Sequence, residues 1–247
     1  MLELNNIHVS RGDAEIVHGV SLTIGAGEVH VILGKNGSGK TSLLNAVMGH
    51  PAFLVTLPLP KGESEGAATV ILDGTDITTV PTHEKARAGL FLSLQQPPEV
   101  PGVPLEEFLR TAKTALTGEQ PKTIAFAGAV SENIAKLRLD SKFAERSVNV
   151  GASGGEKKRA EMVQMLTLAP KYALLDEPDS GLDADALHYV ADAISSLRNT
   201  GTGFLVVSHY AAFIELLQPT AIHVMRDGRI VQSGTVDILK DGIAKLL

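Results

Sequence analysis

The sequence contains no cysteine and no tryptophan among its 247 residues, and only 4% of its residues are aromatic. The lack of cysteine excludes a disulfide framework, a thiolate zinc site, an iron–sulfur cluster held by the chain's own thiolates and a cysteine nucleophile. A chain without disulfides suits a reducing compartment, so we expect a cytoplasmic protein.

Long apolar runs and an excess of positive charge are also missing. No run approaches the roughly 18 apolar residues of a membrane-spanning helix, and residues 1–5 do not begin a basic region followed by an apolar stretch. The formal net charge of −6 provides no global attraction for nucleic acid or an anionic membrane. We therefore expect a soluble protein without a targeting segment, membrane insertion or a nucleic-acid partner.

With 44% hydrophobic and 20% charged residues, the composition is typical of globular proteins, and 247 residues suffice for one large domain. Alternating apolar residues in 2–9 and 20–24 favour antiparallel strands with one buried face. Nearly continuous apolar runs favour parallel strands that are covered on both faces. There are four such runs, at 29–33, 90–94, 172–175 and 204–207.

Helical patterns lie between these runs and complete an α/β pattern. They cover 42–48, 156–168 and 184–198, and each ends near a residue that stops helices, Gly49, Pro170 and Gly201 in turn. Alternating strands and helices predict an α/β fold with a central sheet and right-handed crossovers.

Three segments depart from this alternation. Residues 105–146 show only helical spacing and predict an inserted helical subdomain between core segments 1–104 and 147–247 of a single domain. Asp227-Gly228 lies between two apolar runs and predicts a hairpin, which a last helix toward Leu247 follows. Residues 57–66 are rich in proline, glycine and serine and predict a loop.

Residues 34–41 read GKNGSGKT and match the phosphate-binding pattern G-x-x-x-x-G-K-[ST] between a predicted strand and a predicted helix. Glycines there let backbone N–H groups face phosphate oxygens, the lysine reaches the β and γ phosphates, and the threonine hydroxyl binds Mg²⁺. An ordinary glycine-rich turn is the alternative, but it does not require this spacing or these flanks. The candidate residues for ATP are Gly34, Lys35, Asn36, Gly37, Ser38, Gly39, Lys40, Thr41 and Ser42.

A second acidic element follows the strand at 172–175. Asp176 is placed to hold Mg²⁺ at the carboxyl end of a strand of the same sheet. Glu177 is then free to orient or deprotonate the water that attacks the γ-phosphate. Taken alone, Asp-Glu would more often be a solvated strand end, and the phosphate-binding loop upstream is what favours the catalytic interpretation.

Ser153-Gly-Gly-Glu156-Lys157 precedes the helix at 156–168 and is open to two interpretations. As pure structure it is a capping box, in which Ser153 and Glu156 satisfy free amides. A capping box does not explain two glycines in the first turn, where each costs about 1 kcal/mol relative to alanine. We therefore expect Ser153 and Gly155 to bind a phosphate on a second copy of the chain, in a dimer.

Other signals are weaker. The charged run 157–159 is expected to face solvent, as such runs on helices usually do. The seven histidines other than His209 show no metal-ligand spacing, and they are expected to be structural or solvated.

Together these motifs resemble those of the ABC ATPase family: the phosphate-binding loop, the Ser-Gly-Gly-Glu-Lys signature, and the strand ending in Asp176 and Glu177. The resemblance also places a Q-loop at Gln95, a D-loop at 180–183 and a switch histidine at His209, in family order. It implies a mixed central sheet, an N-terminal antiparallel subdomain, and Mg²⁺-dependent ATP hydrolysis in an ATP-dependent homodimer. It also implies catalytic roles for Lys40, Glu177 and His209, nucleotide contact by Gln95, and Thr41, Gln95 and Asp176 as metal residues.

Within the family, the strings 94–102 and 146–151 are similar to those of the SufC-type ATPases of SUF iron–sulfur cluster assembly. That resemblance implies a scaffold partner of SufB or SufD type, which would supply the cysteines that this chain lacks. Residues 57–68 look longer, and 116–142 shorter, than is expected for that group. The adenine-stacking aromatic of the family has no counterpart among residues 9–13, which predicts loose base recognition.

Three other functions remain as alternatives. A nucleotide-binding subunit of an ABC transporter would have the same chemistry on a membrane partner. A nucleic-acid machine of the family fits poorly because the chain is acidic and has no second ATPase unit. A binding module without turnover would be expected to lack Asp176, Glu177 or His209, and all three are present.

Overall fold

A computed structural model describes residues 1–56 and 68–241, which form thirteen strands and seven α-helices. The strands are β1 (Leu2–Arg11), β2 (Ala14–Ile24), β3 (Val29–Leu33), β4 (Leu54–Thr56), β5 (Thr69–Leu72), β6 (Thr75–Asp76), β7 (Leu90–Ser93), β8 (Val100–Pro104), β9 (Ser147–Val148), β10 (Tyr172–Asp176), β11 (Gly203–Val207), β12 (Ala221–Arg226) and β13 (Arg229–Gly234). The helices are α1 (Lys40–Met48), α2 (Thr82–Ala88), α3 (Leu105–Thr117), α4 (Thr123–Lys136), α5 (Gly154–Leu168), α6 (Ala184–Asn199) and α7 (Ala211–Leu217).

The N-terminal sheet is antiparallel, as the alternating pattern predicts. Its strand order is β2-β1-β5-β6, and β4 also pairs with β1. Along β1, Leu2, Leu4, Ile7 and Val9 are buried while the residues between them are more exposed, so that one face of the sheet packs on the core.

The central sheet has the order β13-β12-β3-β11-β10-β7. All neighbours from β12 to β7 are parallel and β13 is antiparallel, so the predicted mixed sheet is confirmed. β3, β10 and β11 are buried along their whole length, because helices α3 to α7 cover one face and α1 with the antiparallel sheet covers the other. The carboxyl ends of β3, β7, β10 and β11 therefore meet at one edge.

The predicted hairpin at Asp227-Gly228 is confirmed. Both residues have positive φ, 46° and 74°, as the tight turn between two twisted antiparallel strands requires. The sequence did not indicate that β12 would also extend the parallel sheet beside β3.

Residues 105–146, all of which the structure describes, form α3, α4 and a short 3-10 helix at Ser141–Ala144. Before them, Val100–Pro104 is a strand that pairs with Ser147–Val148. The assignment of 105–146 as a subdomain distinct from 1–104 and 147–247 stays a prediction.

Two other predicted segments lie at the limits of the described residues. Where the last helix was predicted, Val236–Asp241 forms a 3-10 helix; the rest of that prediction, 242–247, and the predicted loop at 57–66 lie outside the described residues. Within ranges 1–56 and 68–241, no helix is long and apolar enough to cross a membrane.

Two of the histidines expected to be structural or solvated are buried and bonded to each other. His30 on β3 and His223 on β12 have ring nitrogens 3.1 Å apart; His30 also contacts Glu28 at 3.1 Å, and His223 contacts Ser233 at 2.8 Å. The network is satisfied when both rings are neutral: the Ser233 hydroxyl donates to His223, His223 to His30, and His30 to the Glu28 carboxylate. Burial lowers the pKa of His223 to about 4 and also lowers that of His30.

Candidate functional site: a phosphate-binding cavity at the sheet edge

The phosphate-binding loop joins the end of β3 to the start of α1. Gly39 caps α1 with φ at 101°, and no side chain caps the helix, so its first amides remain available to an anion. Gly34 is required by close packing, because a Cβ there would lie 2.4 Å from the Met225 carbonyl oxygen and 2.6 Å from Ser38 Oγ. The loop is thus shaped as an open cradle for phosphate oxygens.

Lys40, the first residue of α1, turns back into this loop. Its Nζ donates to the carbonyl oxygens of Gly34 at 2.6 Å and Lys35 at 2.8 Å. Burial lowers the pKa of the Lys40 ammonium, while the nearby carboxylates of Glu177 and Asp176 oppose that shift. The ammonium is therefore already inside the loop at the place where phosphate charge would arrive.

The neighbouring Thr41 faces the end of β10. Its Oγ1 donates to Asp176 Oδ1 at 3.2 Å, and only 1% of Asp176 is exposed. Burial raises the pKa of Asp176 above its ordinary value. A hydroxyl and a desolvated carboxylate this close together are oxygen ligands of the kind that Mg²⁺ takes, so these residues fit a magnesium ion bound with the phosphates.

Glu177 lies where loops from three strands meet. Gln95, just past β7, donates its Nε2 to Glu177 Oε2 at 3.2 Å, and His209, past β11, has Nδ1 3.7 Å from Glu177 Oε1. The Glu177 backbone has φ at 49°, a left-handed conformation that is uncommon for residues with a side chain. Strain of this kind is typical of functional positions whose surroundings hold them in place.

Lys40, Thr41, Gln95 and Glu177 line one open cavity of about 560 Å³, whereas Asp176 and His209 are not part of its lining. Its lining consists of Ile16, Asn36, Gly37, Gly39, Lys40, Thr41, Ser42, Gln95 and Glu177. The structure therefore brings together most of the residues predicted from the phosphate-binding, Q-loop and acidic motifs.

Ser153 and Gly155 do not line this cavity. Ser153 caps α5 in the predicted capping box: its hydroxyl accepts from the Glu156 N–H at 3.3 Å, and Glu156 accepts from the Ser153 N–H at 2.8 Å. A Cβ on Gly154 would meet nothing within 4 Å, and one on Gly155 would have only ordinary contacts with Gly181 and Leu182. The two glycines are thus not needed for packing within the chain.

The expectation that the charged run after the signature faces solvent is wrong for Lys158, while Lys157 and Arg159 are half-buried. Lys158 is 4% exposed and donates to the carbonyl oxygens of Leu94 and Asp176. Arg159 donates to the carbonyl oxygens of Leu137 and Arg138, and Lys157 forms an ion pair with Glu99. Lys158 faces the ends of β7 and β10, and Arg159 faces the segment just after α4, which a local charge pattern does not reveal.

Comparison with known families decides what this site belongs to. The sequence model of the family described as ABC transporter matches residues 17–180, which is well over half of the chain. The chain belongs to this family. It is an ABC ATPase, whose substrate is ATP and whose metal is Mg²⁺.

Individual relatives cover nearly the whole ABC ATPase chain. It is 44% identical over 236 residues to a probable ABC transporter ATP-binding protein of Streptococcus pyogenes, covering 95% of this chain and 88% of the relative. It is 40% identical over 244 residues to the probable ATP-dependent transporter SufC of Escherichia coli K12, covering 97% and 94%. A bacterial ABC transporter cassette solved as a dimer shares the fold, with a TM-score of 0.79 at 20% identity over 96% of this chain and 99% of that one.

Two features of the ABC ATPase site were missed in the sequence. Ile16, on β2, lines the cavity beside the phosphate-binding loop and lies outside residues 9–13, where the base-contacting aromatic of the family was expected. The other is the contact between α5 and the residue before Gln95, made by Lys158 and Glu161. A polar residue at 161 inside an otherwise apolar helical pattern was the available signal.

Proposed function

We propose that this ABC ATPase is the ATP-hydrolysing subunit of a SUF-type iron–sulfur cluster assembly complex in the cytoplasm, acting on a SufB- or SufD-type scaffold. The observation that carries the proposal is that the two SufC-like strings, 94–102 and 146–151, lie against each other. β8 and β9 come from these strings and pair with each other.

Side-chain contacts reinforce that pairing. Asn149 Nδ2 donates to the Pro98 carbonyl oxygen at 2.8 Å, and the Gly102 N–H donates to Ser147 Oγ at 3.0 Å. Pro98, Glu99 and Pro101 are exposed on the same unit. Two sequence segments that are about 50 residues apart therefore form a single surface directly beyond Gln95.

This surface is placed to transmit changes at the nucleotide. It begins next to Gln95, which contacts Glu177, and it adjoins the start of α5 through the 2.8 Å ion pair between Glu99 and Lys157. Since it also leads directly into α3, closure around ATP would move a bound partner together with residues 105–146. The 40% identity to the Escherichia coli SufC protein supports the same assignment.

In the proposed reaction, the amides of the loop and the Lys40 ammonium bind the β and γ phosphates, and Thr41, Asp176 and Gln95 hold Mg²⁺. Magnesium, when bound, neutralises phosphate charge. Glu177 takes a proton from the water whose oxygen bonds to the γ-phosphorus, while the bond to the leaving oxygen of ADP breaks. His209, which faces Glu177, contacts the γ-phosphate side of the site.

The second half of the proposed site comes from another copy of the chain. Ser153 and Gly155 lie outside the cavity of their own chain, which supports a head-to-tail dimer in which they face the partner's nucleotide. ATP binding closes this dimer, and hydrolysis opens it.

Co-purification from soluble and detergent-solubilised fractions of native cells tests the partner. We expect a cysteine-bearing SufB- or SufD-type scaffold in the soluble fraction. Glu99→Lys and Pro101→Ala should each weaken its binding by about tenfold, as loss of an interface contact typically does, while ATP affinity stays within about twofold. The matched control is Lys157→Met, which breaks the same Glu99 ion pair but leaves Glu99 available to a partner.

The transporter-subunit alternative is supported by the Streptococcus pyogenes relative, which is a probable ABC transporter ATP-binding protein. Recovery of a multi-span membrane protein only, with no soluble scaffold and no loss of cluster assembly on depletion, would contradict the SUF assignment and support the transporter role.

A further inference from the structure

Helix α5 carries a buried pair of opposite charges that the proposed reaction does not use. Lys158 and Glu161 are one turn apart on this helix and are 4% and 6% exposed. Charged groups are rarely buried this deeply unless each is bonded to specific partners. The bonds that this pair makes therefore show what it holds.

All of these bonds reach the segment immediately before Gln95 or the end of β10. Glu161 accepts from the Ser93 hydroxyl at 2.8 Å and from the Leu94 N–H at 3.1 Å. Lys158 donates to the Leu94 carbonyl oxygen at 2.9 Å and to the Asp176 carbonyl oxygen at 3.2 Å. Both main-chain polar groups of Leu94 are thus bound by side chains of α5.

Leu94 lies between the sheet and the nucleotide site. β7 ends at Ser93, whose neighbour in the sheet is Leu175, and Gln95 reaches Glu177 from the other side of Leu94. Without sheet partners, Leu94 depends on α5 for its position. Since α5 starts at the signature motif, the same helix connects Ser153 to the root of the Q-loop.

We propose that Glu161 is a positioning residue for Gln95: by holding Ser93 and Leu94 it keeps Gln95 at the nucleotide cavity and ties its position to that of the signature helix. The inference rests on the role proposed above for Gln95. Glu161 itself does not contact the substrate. Lys158 fixes the same residue from its other polar group, the Leu94 carbonyl oxygen.

A residue that served only stability would be a poor choice here. Burial raises the pKa of Glu161 to about 7, which means that this site disfavours the ionised form of the side chain that it holds. Replacing both members of a buried ionic pair by well-packed apolar residues is often neutral or stabilising, so the fold alone does not need these charges. Removing Glu161 alone leaves the Lys158 charge buried without its counter-charge, so thermal stability is measured beside kcat for every variant.

The test compares two substitutions of Glu161 with a control on the same helix. Glu161→Leu removes both hydrogen bonds and should lower kcat about tenfold, the effect of roughly one lost hydrogen bond, with ATP affinity measured without Mg²⁺ within about twofold. Glu161→Gln can still accept from the Leu94 N–H and donate to Ser93, and it should retain kcat within about threefold. Thr167 lies farther along α5 and accepts a 3.1 Å hydrogen bond from Asn133 on α4. Thr167→Val, which loses this bond, should leave kcat unchanged.

A double-mutant cycle shows whether Glu161 acts through Gln95. In a Gln95→Ala background, Glu161→Leu should lower kcat by less than about twofold. An equal tenfold loss in both backgrounds, or a kcat loss that follows the change in thermal stability across all variants, would overturn the proposal.

Amide hydrogen exchange at Leu94 in the nucleotide-free chain gives a readout that does not involve activity. Glu161→Leu should speed exchange of that amide at least about tenfold, Glu161→Gln much less, and Ser93→Ala, a milder variant that keeps the Leu94 bond, hardly at all. Unchanged exchange in Glu161→Leu would also overturn the proposal. If exchange changes but Gln95→Ala turns over normally, the role proposed for Gln95 is the part that fails.

Discussion

The phosphate-binding side of the molecule and the start of helix α5 are built in different ways, although both are helix N-termini after glycine-rich loops. On the first side, Lys40, Thr41, Gln95 and Glu177 converge on one cavity within the chain. At the second, Ser153 and Glu156 satisfy each other, and Gly154 faces open space. The difference agrees with the proposed dimer, in which one half-site is assembled by the chain's own fold and the other is completed by a second copy.

The largest expected loss of ATP turnover comes from substitutions that disrupt the phosphate-binding loop and the start of α5 one at a time. Lys40→Ala removes the ammonium from the phosphate-binding loop, and ATP turnover should fall at least about 10³-fold, the upper range for a lost electrostatic group. Ser153→Arg puts a bulky cation at the start of α5 and should reduce turnover comparably, yet leave ATP binding to its own cavity within about twofold. Phosphate release and equilibrium nucleotide binding measure the two effects.

Mixing these two variants decides whether the halves are shared between chains. A mixed dimer has one site with both an intact Lys40 and an intact Ser153, so turnover should return to as much as about a quarter of the unmodified level. No gain over either variant alone would contradict the composite site.

A smaller effect is expected from Glu177→Gln, which keeps the shape of the cavity but cannot accept the proton of the attacking water. Turnover should fall about 10²-fold, the usual scale for a lost general base. Since Lys40, Thr41 and Asp176 still hold Mg²⁺ and ATP, the variant should accumulate as an ATP-bound dimer in size-exclusion chromatography. A variant that stayed monomeric with ATP, or turned over normally, would count against the assignment of Glu177.

Mild acid should weaken the phosphate-binding side through the buried pair His30 and His223. The native pKa of His223 is about 4 against an ordinary 6.5, so between these values the unfolded chain binds more protons than the folded one. The free energy of unfolding should therefore fall as the pH drops through 6.5 and continue to fall to about 4, by at most about 3 kcal/mol from this group.

β3, which carries His30, leads directly into Gly34, so charging the pair is expected to disturb the start of the phosphate-binding loop. His223→Gln, which does not titrate, should flatten the profile in thermal unfolding between pH 6.5 and 4.5. Identical profiles for the variant and the unmodified chain would show that the pair does not set the acid sensitivity.

The smallest effect is expected from Ile16→Tyr at the rim of the cavity. An aromatic ring there would stack on the adenine, and such stacking is worth about 1–3 kcal/mol on nucleic-acid bases, so ATP should bind at least about fivefold tighter. An unchanged ATP affinity would show that residue 16 does not contact the base. Phe53, which is not part of the cavity lining, provides a control position for an added aromatic hydroxyl, as Phe53→Tyr.

Much of the fold and the first half-site could be read from the sequence, because each depends on short-range chemistry. The strands of the central sheet were visible as apolar runs, since burial on both faces leaves no room for alternation. The phosphate-binding loop was predictable because the spacing of Gly34, Gly39, Lys40 and Thr41 determines its local shape. Asp176 was predictable because it directly follows a buried strand. The hairpin at Asp227-Gly228 needs only two residues with positive φ.

Only the tertiary structure shows the contacts between segments that are far apart in the chain. Lys158 and Glu161 are charges on a helix, and their common partner Leu94 lies more than 60 residues away in the sequence. The same holds for the pairing of β8 with β9, for β12 beside β3, and for the position of Ile16 at the cavity. Spacing along a chain records which side chains share a face, whereas the element that covers that face is selected by packing of the whole fold.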